Sequence, residues 1–213
     1  MSFPSNTQAW KVTDIRSDNF DGLQLIEDVP VSNLGDHDVL VQIEAVSLNY
    51  RDLAIPRVKD FTASDKVCTL FNELHQTNPI TPEAVGSGLG GAVDGTLRKY
   101  AVFPGHGLVT APSTLSSIEA STFTCAPLTA WNALFGLKKL KADDWVLTQG
   151  TGGVSLAAIQ FAVATGATVV ASTSSSEKAD TLKKTGVSQV INCRDVAEWR
   201  YRQSTYPEGT WLR

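Results

Sequence analysis

Apolar and polar residues follow two different periods along this chain, and the change falls after Pro112. Before it, short runs alternate every second residue, the spacing that sends successive side chains to opposite faces of a strand. AWKVTDIR (9–16) and LQLIE (23–27) predict two strands separated by the turn-forming Asp21-Gly22. In DVLVQIEAVS (38–47), Val39, Val41, Ile43 and Ala45 share one face, which predicts a half-buried strand. The Gly-rich stretch GSGLGGAVDG (86–95) leads into LRKYAVF (97–103), another alternating strand. The first 110 residues therefore read as β-rich with long connections.

After Pro112 the spacing becomes helical. Segment 116–125 is helix-compatible, with Ser116 and Ser117 as N-cap candidates and Glu119 in the first turn. Segment 128–140 (LTAWNALFGLKKL) carries apolar residues at helical intervals. From 145 onward strand and helix alternate. WVLTQ is a strand, GVSLAAIQFAVATG a helix closed by Gly166, and ATVVAS a second strand. SEKADTLKKTG is a polar helix closed by Gly186, and SQVIN a third strand. Strands separated by helices of this length predict βαβ units and a parallel sheet, an α/β fold class. The last twenty residues, Arg194 to Arg213, continue neither pattern and read as a terminal extension.

Charge narrows the function classes. The 213 residues carry 18 basic and 22 acidic side chains, a net charge of −4, with no global attraction for nucleic acid or anionic membrane. The Arg- and aromatic-containing tail nets only +1, from four Arg against one Asp and two Glu, and is read as no nucleic-acid patch. No apolar run reaches the ~18 residues that span a bilayer. The N-terminus MSFPSNTQAWKV lacks the basic and apolar regions of a secretory signal, so the expectation is a cytoplasmic protein. Cys68, Cys125 and Cys193 form no CxxC pair, and His37, His75 and His106 show no ligand spacing.

One turn carries chemistry. Gly150, Thr151, Gly152, Gly153 and Val154 leave the first strand of the alternation and open its first helix. Glycines without Cβ let the chain turn tightly and bring main-chain N–H groups up to a pyrophosphate. The helix start adds unpaired N–H groups and the positive dipole end. The alternative is a purely structural turn. A motif of this type places a small residue at its third glycine position, held here by Ser155. An NAD site would put a carboxylate about 20 residues on, at the end of the second strand. That region, Val170 to Ser172, has none, and Ser174, Ser175 and Lys178 follow. Hydroxyl donors and a lysine suit a 2′-phosphate, so the cofactor reading is NADP(H); the alternative for Ser176-Glu177 is a helix cap.

Four stretches then resemble one family. They are Val46-Ser47-Leu48-Asn49-Tyr50-Arg51-Asp52, Asp94 to Tyr100, Cys125-Ala126-Pro127-Leu128-Thr129-Ala130-Trp131, and the 149–155 turn. In order and spacing the chain resembles the medium-chain dehydrogenase/reductase superfamily, in its zinc-independent, quinone-oxidoreductase-like and alcohol-dehydrogenase-like branch. The resemblance implies a GroES-like β-rich substrate domain followed by a Rossmann domain. It implies hydride transfer to a small-molecule carbonyl, quinone or enone, and often dimerisation through the sheet. It makes Asn49 a nicotinamide or substrate contact and Thr129 a neighbour of the nicotinamide carboxamide. Tyr50 becomes a hydrogen-bond donor to a developing oxyanion, or else a packing residue at a strand end. Zinc-dependent relatives carry a cysteine where this chain has Asn49, and no Gly-His-Glu segment is found. Cys125 alone matches a ligand, so no metal is expected. Cys193 replaces a tyrosine common in relatives near the third strand's end.

Two departures go further. Between Arg57 and Val58 the family carries a long segment that is missing here, and after Asn192 the rest of the Rossmann sheet is replaced by the tail. The expected domains are an internally shortened GroES-like part (1–126), a partial Rossmann part (127–193) and a divergent tail (194–213). A three-strand half-sheet would leave an edge unpaired and a helix face uncovered. Two functional readings follow. One is an oxidoreductase impaired by truncation; the other is a non-catalytic remnant that binds nucleotide weakly or associates with a full-length relative.

Overall fold

The computed structural model describes residues 4–13, 23–48, 66–77, 79–91, 93–195 and 210–211. Asn49, Tyr50, the Arg57–Val58 junction and tail residues 196–209 lie outside the described residues. The chain divides into two compact units, Met1–Thr124 and Cys125–Arg213.

The first unit is built from two-stranded antiparallel sheets. β1 (Asn6–Val12) pairs with β2 (Leu23–Pro30), with a register shift between Thr7 and Ala9. β3 (Asp38–Gln42) is followed by β4 (Val67–Thr69) and by the short helix α1 (Pro82–Gly86). α1 starts where Thr81 accepts a hydrogen bond from the Ala84 amide and Pro82 takes the first turn, where a missing N–H costs nothing. β5 (Tyr100–Pro104) pairs with β3, setting Val39 opposite Phe103 and Val41 opposite Ala101. β6 (Leu108–Thr110) pairs with β4, and helix α2 (Ser117–Ser121) follows. Val41, Ala101 and Phe103 form the core of this unit, with Val39 and Ile43 packed on it, the face expected from the period-two pattern. That pattern predicts a half-buried strand, yet Leu40 on the opposite face is also buried. Both sides of β3 are covered at this point.

α2 opens with a reciprocal cap. The Ser116 hydroxyl accepts from the Glu119 amide, and the Glu119 carboxylate accepts from the Ser116 amide at 2.9 Å. The Ser116 hydroxyl also donates to the Glu119 carboxylate at 2.7 Å, and this bond first, the amide's second, hold the Glu119 carboxyl below its ordinary range.

The second unit starts with α3 (Ala126–Trp131), which widens into a π-turn over Asn132–Gly136. The expected helix over 128–140 is thus an α-turn and a π-turn. Then come β7 (Trp145–Gln149), α4 (Gly153–Thr165), β8 (Thr168–Thr173), α5 (Ser176–Lys183), β9 (Gln189–Asn192) and β10 (Thr210–Trp211). α4 ends as expected at Gly166, whose φ of +84° is open to glycine and strained for other residues. All neighbouring strands are parallel, in the order β10-β7-β8-β9. The three-strand expectation is corrected here: Thr210 and Trp211 pair with Val146 and Leu147 along the edge of β7 expected to be bare.

Leu134, Val146, Ile159, Val169 and Leu182 are fully buried in the core between α3, α4, α5 and the sheet. On the other face of the same strands Leu147 and Val170 are buried as well. α4 leaves only a narrow exposed stripe past its first turn, at Gln160 and Ala164, whereas Leu128 and Trp131 of α3 are large apolar side chains left exposed. Within this core Thr148 is 3% exposed, and its buried hydroxyl finds no hydrogen-bond partner among the described residues. A buried unpaired hydroxyl costs about 1–3 kcal/mol, and valine has nearly the same shape without it. Thr148→Val is therefore expected to raise stability by about 1 kcal/mol, read as a higher Tm. A lower Tm would show that the hydroxyl is satisfied.

No helix among the described residues is long and apolar enough to cross a membrane.

Candidate nucleotide site

In a parallel sheet the turns after successive strands emerge along one edge, and the candidate residues gather there. Gln149 at the end of β7 lies opposite Ser172 of β8. The Gly150 amide donates to the Ser172 carbonyl at 2.9 Å. This bond and a φ of +80° turn the chain sharply off the strand. A Cβ added at Gly150 or Gly152 would meet no atom of the described residues within 4 Å. The space in front of the turn is open to a ligand.

Gly152 is the N-cap of α4, with φ −75° and ψ 168°, and no side chain among the described residues caps the helix. Its first amides therefore face outward with the positive end of a 13-residue helix dipole, an arrangement suited to an anion. Close packing falls one residue later. A Cβ at Gly153 would lie 3.2 Å from that of Ala126, so it is Gly153, more than the expected Ser155, that lets elements approach. Ser155 instead donates its hydroxyl to the Gln149 carbonyl at 2.9 Å and ties the first helical turn to the strand end. Sequence spacing cannot distinguish these roles, because both residues are small.

α3 contributes Thr129, an exposed residue whose hydroxyl donates to the Cys125 carbonyl at 2.9 Å. Ala126, one turn earlier, is the residue against Gly153, so Thr129 stands on the element flanking the glycine turn. Ser174 and Ser175 follow β8, and Lys178 lies in α5. Ser175 is the N-cap of α5, accepting from the Lys178 amide at 3.4 Å; the alternative cap at Ser176-Glu177 is not the one formed. Ser174 and Lys178 are exposed at the same edge. The structure thus collects Thr129, Gly150 to Val154, Ser174, Ser175 and Lys178 in one unit, while Asn49 and Tyr50 lie outside the described residues.

Known proteins match this architecture. The family model described as zinc-binding dehydrogenase matches residues 153–210, which takes in most of the stretch after Asn192. A zinc-type alcohol dehydrogenase-like protein of Schizosaccharomyces pombe is 40% identical over 210 residues, covering 84% of this chain and 60% of that protein. A solved structure from Sinorhizobium meliloti 1021, assigned provisionally as an alcohol dehydrogenase, superposes with a TM-score of 0.85 at 33% identity. It covers all of this chain and 71% of its own. The chain belongs to the medium-chain dehydrogenase/reductase superfamily.

Within that superfamily the chain is short against its curated relatives, spanning 60% of the S. pombe protein. Of a Bacillus subtilis protein described provisionally as a quinone oxidoreductase it spans 34%, at 38% identity over 112 residues. Because 84% of 213 residues is about 179, roughly thirty of the 210 aligned S. pombe positions have no counterpart here. Cys125 is the N-cap residue of α3. Among the described residues no three His, Cys, Asp or Glu side chains converge as a metal site.

Proposed function

We propose that this chain carries the nucleotide-binding half of an NADP(H)-dependent, zinc-independent oxidoreductase. The observation that carries the reading is the open, glycine-lined space in front of the uncapped α4. Gly150, Gly152, Gly153 and the main chain of Thr151 and Val154 would hold the pyrophosphate, where a Cβ or a capping side chain would compete with it. Membership of the superfamily supports a nicotinamide dinucleotide as the ligand. The choice of NADP(H) over NAD(H) rests on the end of β8, where Val170 to Ser172 hold no carboxylate and Ser174, Ser175 and Lys178 follow. A carboxylate there would repel a 2′-phosphate; hydroxyls and an ammonium would bind it.

When bound, the cofactor supplies a hydride for a carbonyl, quinone or activated C=C bond. Thr129 would position the carboxamide end and Asn49 a nicotinamide or substrate contact. Tyr50 would donate a hydrogen bond to the oxygen that gains negative charge. Zinc independence rests on the donor set: Asn49 replaces a cysteine, and one remaining cysteine falls short of the roughly three protein ligands a catalytic zinc requires.

Isothermal titration tests the binding half. NADPH and NADP⁺ are expected to bind in the micromolar range and more tightly than NADH; equal affinities would overturn the NADP(H) assignment, and no binding would overturn the site. A reading without turnover has its own support in the aligned positions missing inside the match to the S. pombe protein. Turnover with quinone and aldehyde panels at rates like those of longer relatives would exclude it.

A further inference from the structure

Ser155, at the third position of α4, bridges the glycine turn from end to end. Its hydroxyl donates to the carbonyl of Gln149, the last residue of β7, at 2.9 Å. Two main-chain bonds frame the same segment: the Gly150 amide donates to the Ser172 carbonyl at 2.9 Å, and the Leu156 amide to the Gly152 carbonyl at 3.0 Å. Between Gln149 and Ser155 lie five residues, three of them glycines. Packing does little to hold them. A Cβ added at Gly150 or Gly152 would meet no atom of the described residues within 4 Å, and Val154 is exposed. Of the three glycines Gly153 alone has a close neighbour among the described residues, Ala126. Glycine loses more conformational freedom on ordering than any other residue, so bonds at the two ends must fix such a turn. A turn left loose is ordered only when the ligand arrives, and that cost is subtracted from affinity.

We infer that Ser155 is a positioning residue for the nucleotide: its bond to Gln149 sets the amides of Gly150 to Val154 for a pyrophosphate before the ligand arrives. The inference rests on the nucleotide-site reading above and adds a side chain that acts through the main chain, without touching the cofactor. The same bond engages the carbonyl of the Gln149–Gly150 peptide, whose partial negative charge would otherwise be free to turn toward an anion. Alanine or glycine at this position would be as small as serine, or smaller, and neither supplies the donor. Size and hydrogen bonding are therefore separable roles. Gly153 lets the elements approach, and Ser155 fixes the turn between them. Because NADP(H) and NAD(H) share the pyrophosphate, the effect of Ser155 is the same for both.

The test is calorimetric titration of the full chain with NADPH and with NADH, for wild type, Ser155→Ala, Ser155→Thr and Ile159→Val, with thermal melts of each sample. Ser155→Ala is expected to raise both Kd values by one common factor, about three- to tenfold, the size of one neutral hydrogen bond. Ser155→Thr keeps the hydroxyl and should recover most of the loss. Ile159 is buried on the core side of the same helix. Ile159→Val should lower the melting temperature and leave both Kd values unchanged, which separates positioning from helix stability. Unchanged Kd values for Ser155→Ala, a loss confined to NADPH, or a loss that threonine does not recover would each overturn the role of Ser155 and leave the nucleotide site standing. An equal rise in Kd for Ile159→Val would overturn it too. A wild-type chain that binds neither cofactor overturns both the role and the site.

Discussion

Ile159→Ala is expected to cost the second unit about 2–5 kcal/mol, the largest stability effect of any single truncation discussed for this chain. Ile159 is fully buried in α4 and shares its core with Leu134, Val146, Val169 and Leu182. The cost has two parts: the lost transfer of the side chain from water, and the cavity left behind. The cavity is hard to close. On the same helix Ala157, Ala158 and Ala162 are already buried alanines and have no side chain to swing into the gap. Below it the parallel ladder of β7, β8 and β9 fixes Val146 and Val169 in register. The measurement is denaturant unfolding, where the midpoint should fall at an unchanged slope. Ile159→Val removes one methylene and should cost about 0.5–1.5 kcal/mol. A loss below that range for the alanine variant would mean that α4 is not seated on the sheet.

The same segment shows why this half of the fold was readable. β7, β8 and β9 are short apolar runs, and α4 is an uninterrupted stretch between a glycine turn and Gly166, whose positive φ stops the helix. Each local signal agrees with its neighbours, and this agreement makes an alternation legible. The first unit is different. β4 and β6 have three residues each and α1 has five, too short for any period to register. Their formation depends on tertiary partners, as where the Asn72 side chain donates to the Ala84 carbonyl at 2.7 Å. β10 is a two-residue strand whose pairing with β7 spans more than sixty residues of sequence. At the site, the spacing of glycines identified the turn. It could not tell the glycine that opens space, Gly150 or Gly152, from the one that permits packing, Gly153. Nor could it separate Ser175, whose hydroxyl caps α5, from the exposed Ser174. Those distinctions depend on atoms contributed by other elements, above all Ala126 of α3.

Gly152→Asp separates folding from binding at this turn. Gly152 sits at the N-cap with φ −75° and ψ 168°, extended backbone that any residue adopts, and an added Cβ meets nothing among the described residues within 4 Å. Aspartate is among the best N-cap residues: its carboxylate accepts from the first-turn amides and interacts favourably with the helix dipole. Stability is therefore expected to hold or to rise by a few tenths of a kcal/mol, since glycine is itself a tolerable cap. Nucleotide binding should move the other way. The new carboxylate would satisfy the amides that the pyrophosphate needs and place a negative charge in the space the phosphates would enter. One like-charge contact in a partly exposed site, together with the lost amide bonds, is expected to weaken NADPH binding at least tenfold, about 1.4 kcal/mol. Gly152→Asn caps the helix without the charge and should weaken binding less. Calorimetric titration and a thermal melt on the same samples read both effects. A higher Kd with an equal or higher Tm places the phosphates at the start of α4. An unchanged Kd with the expected Tm would mean that the open space before α4 serves some other purpose than holding the cofactor.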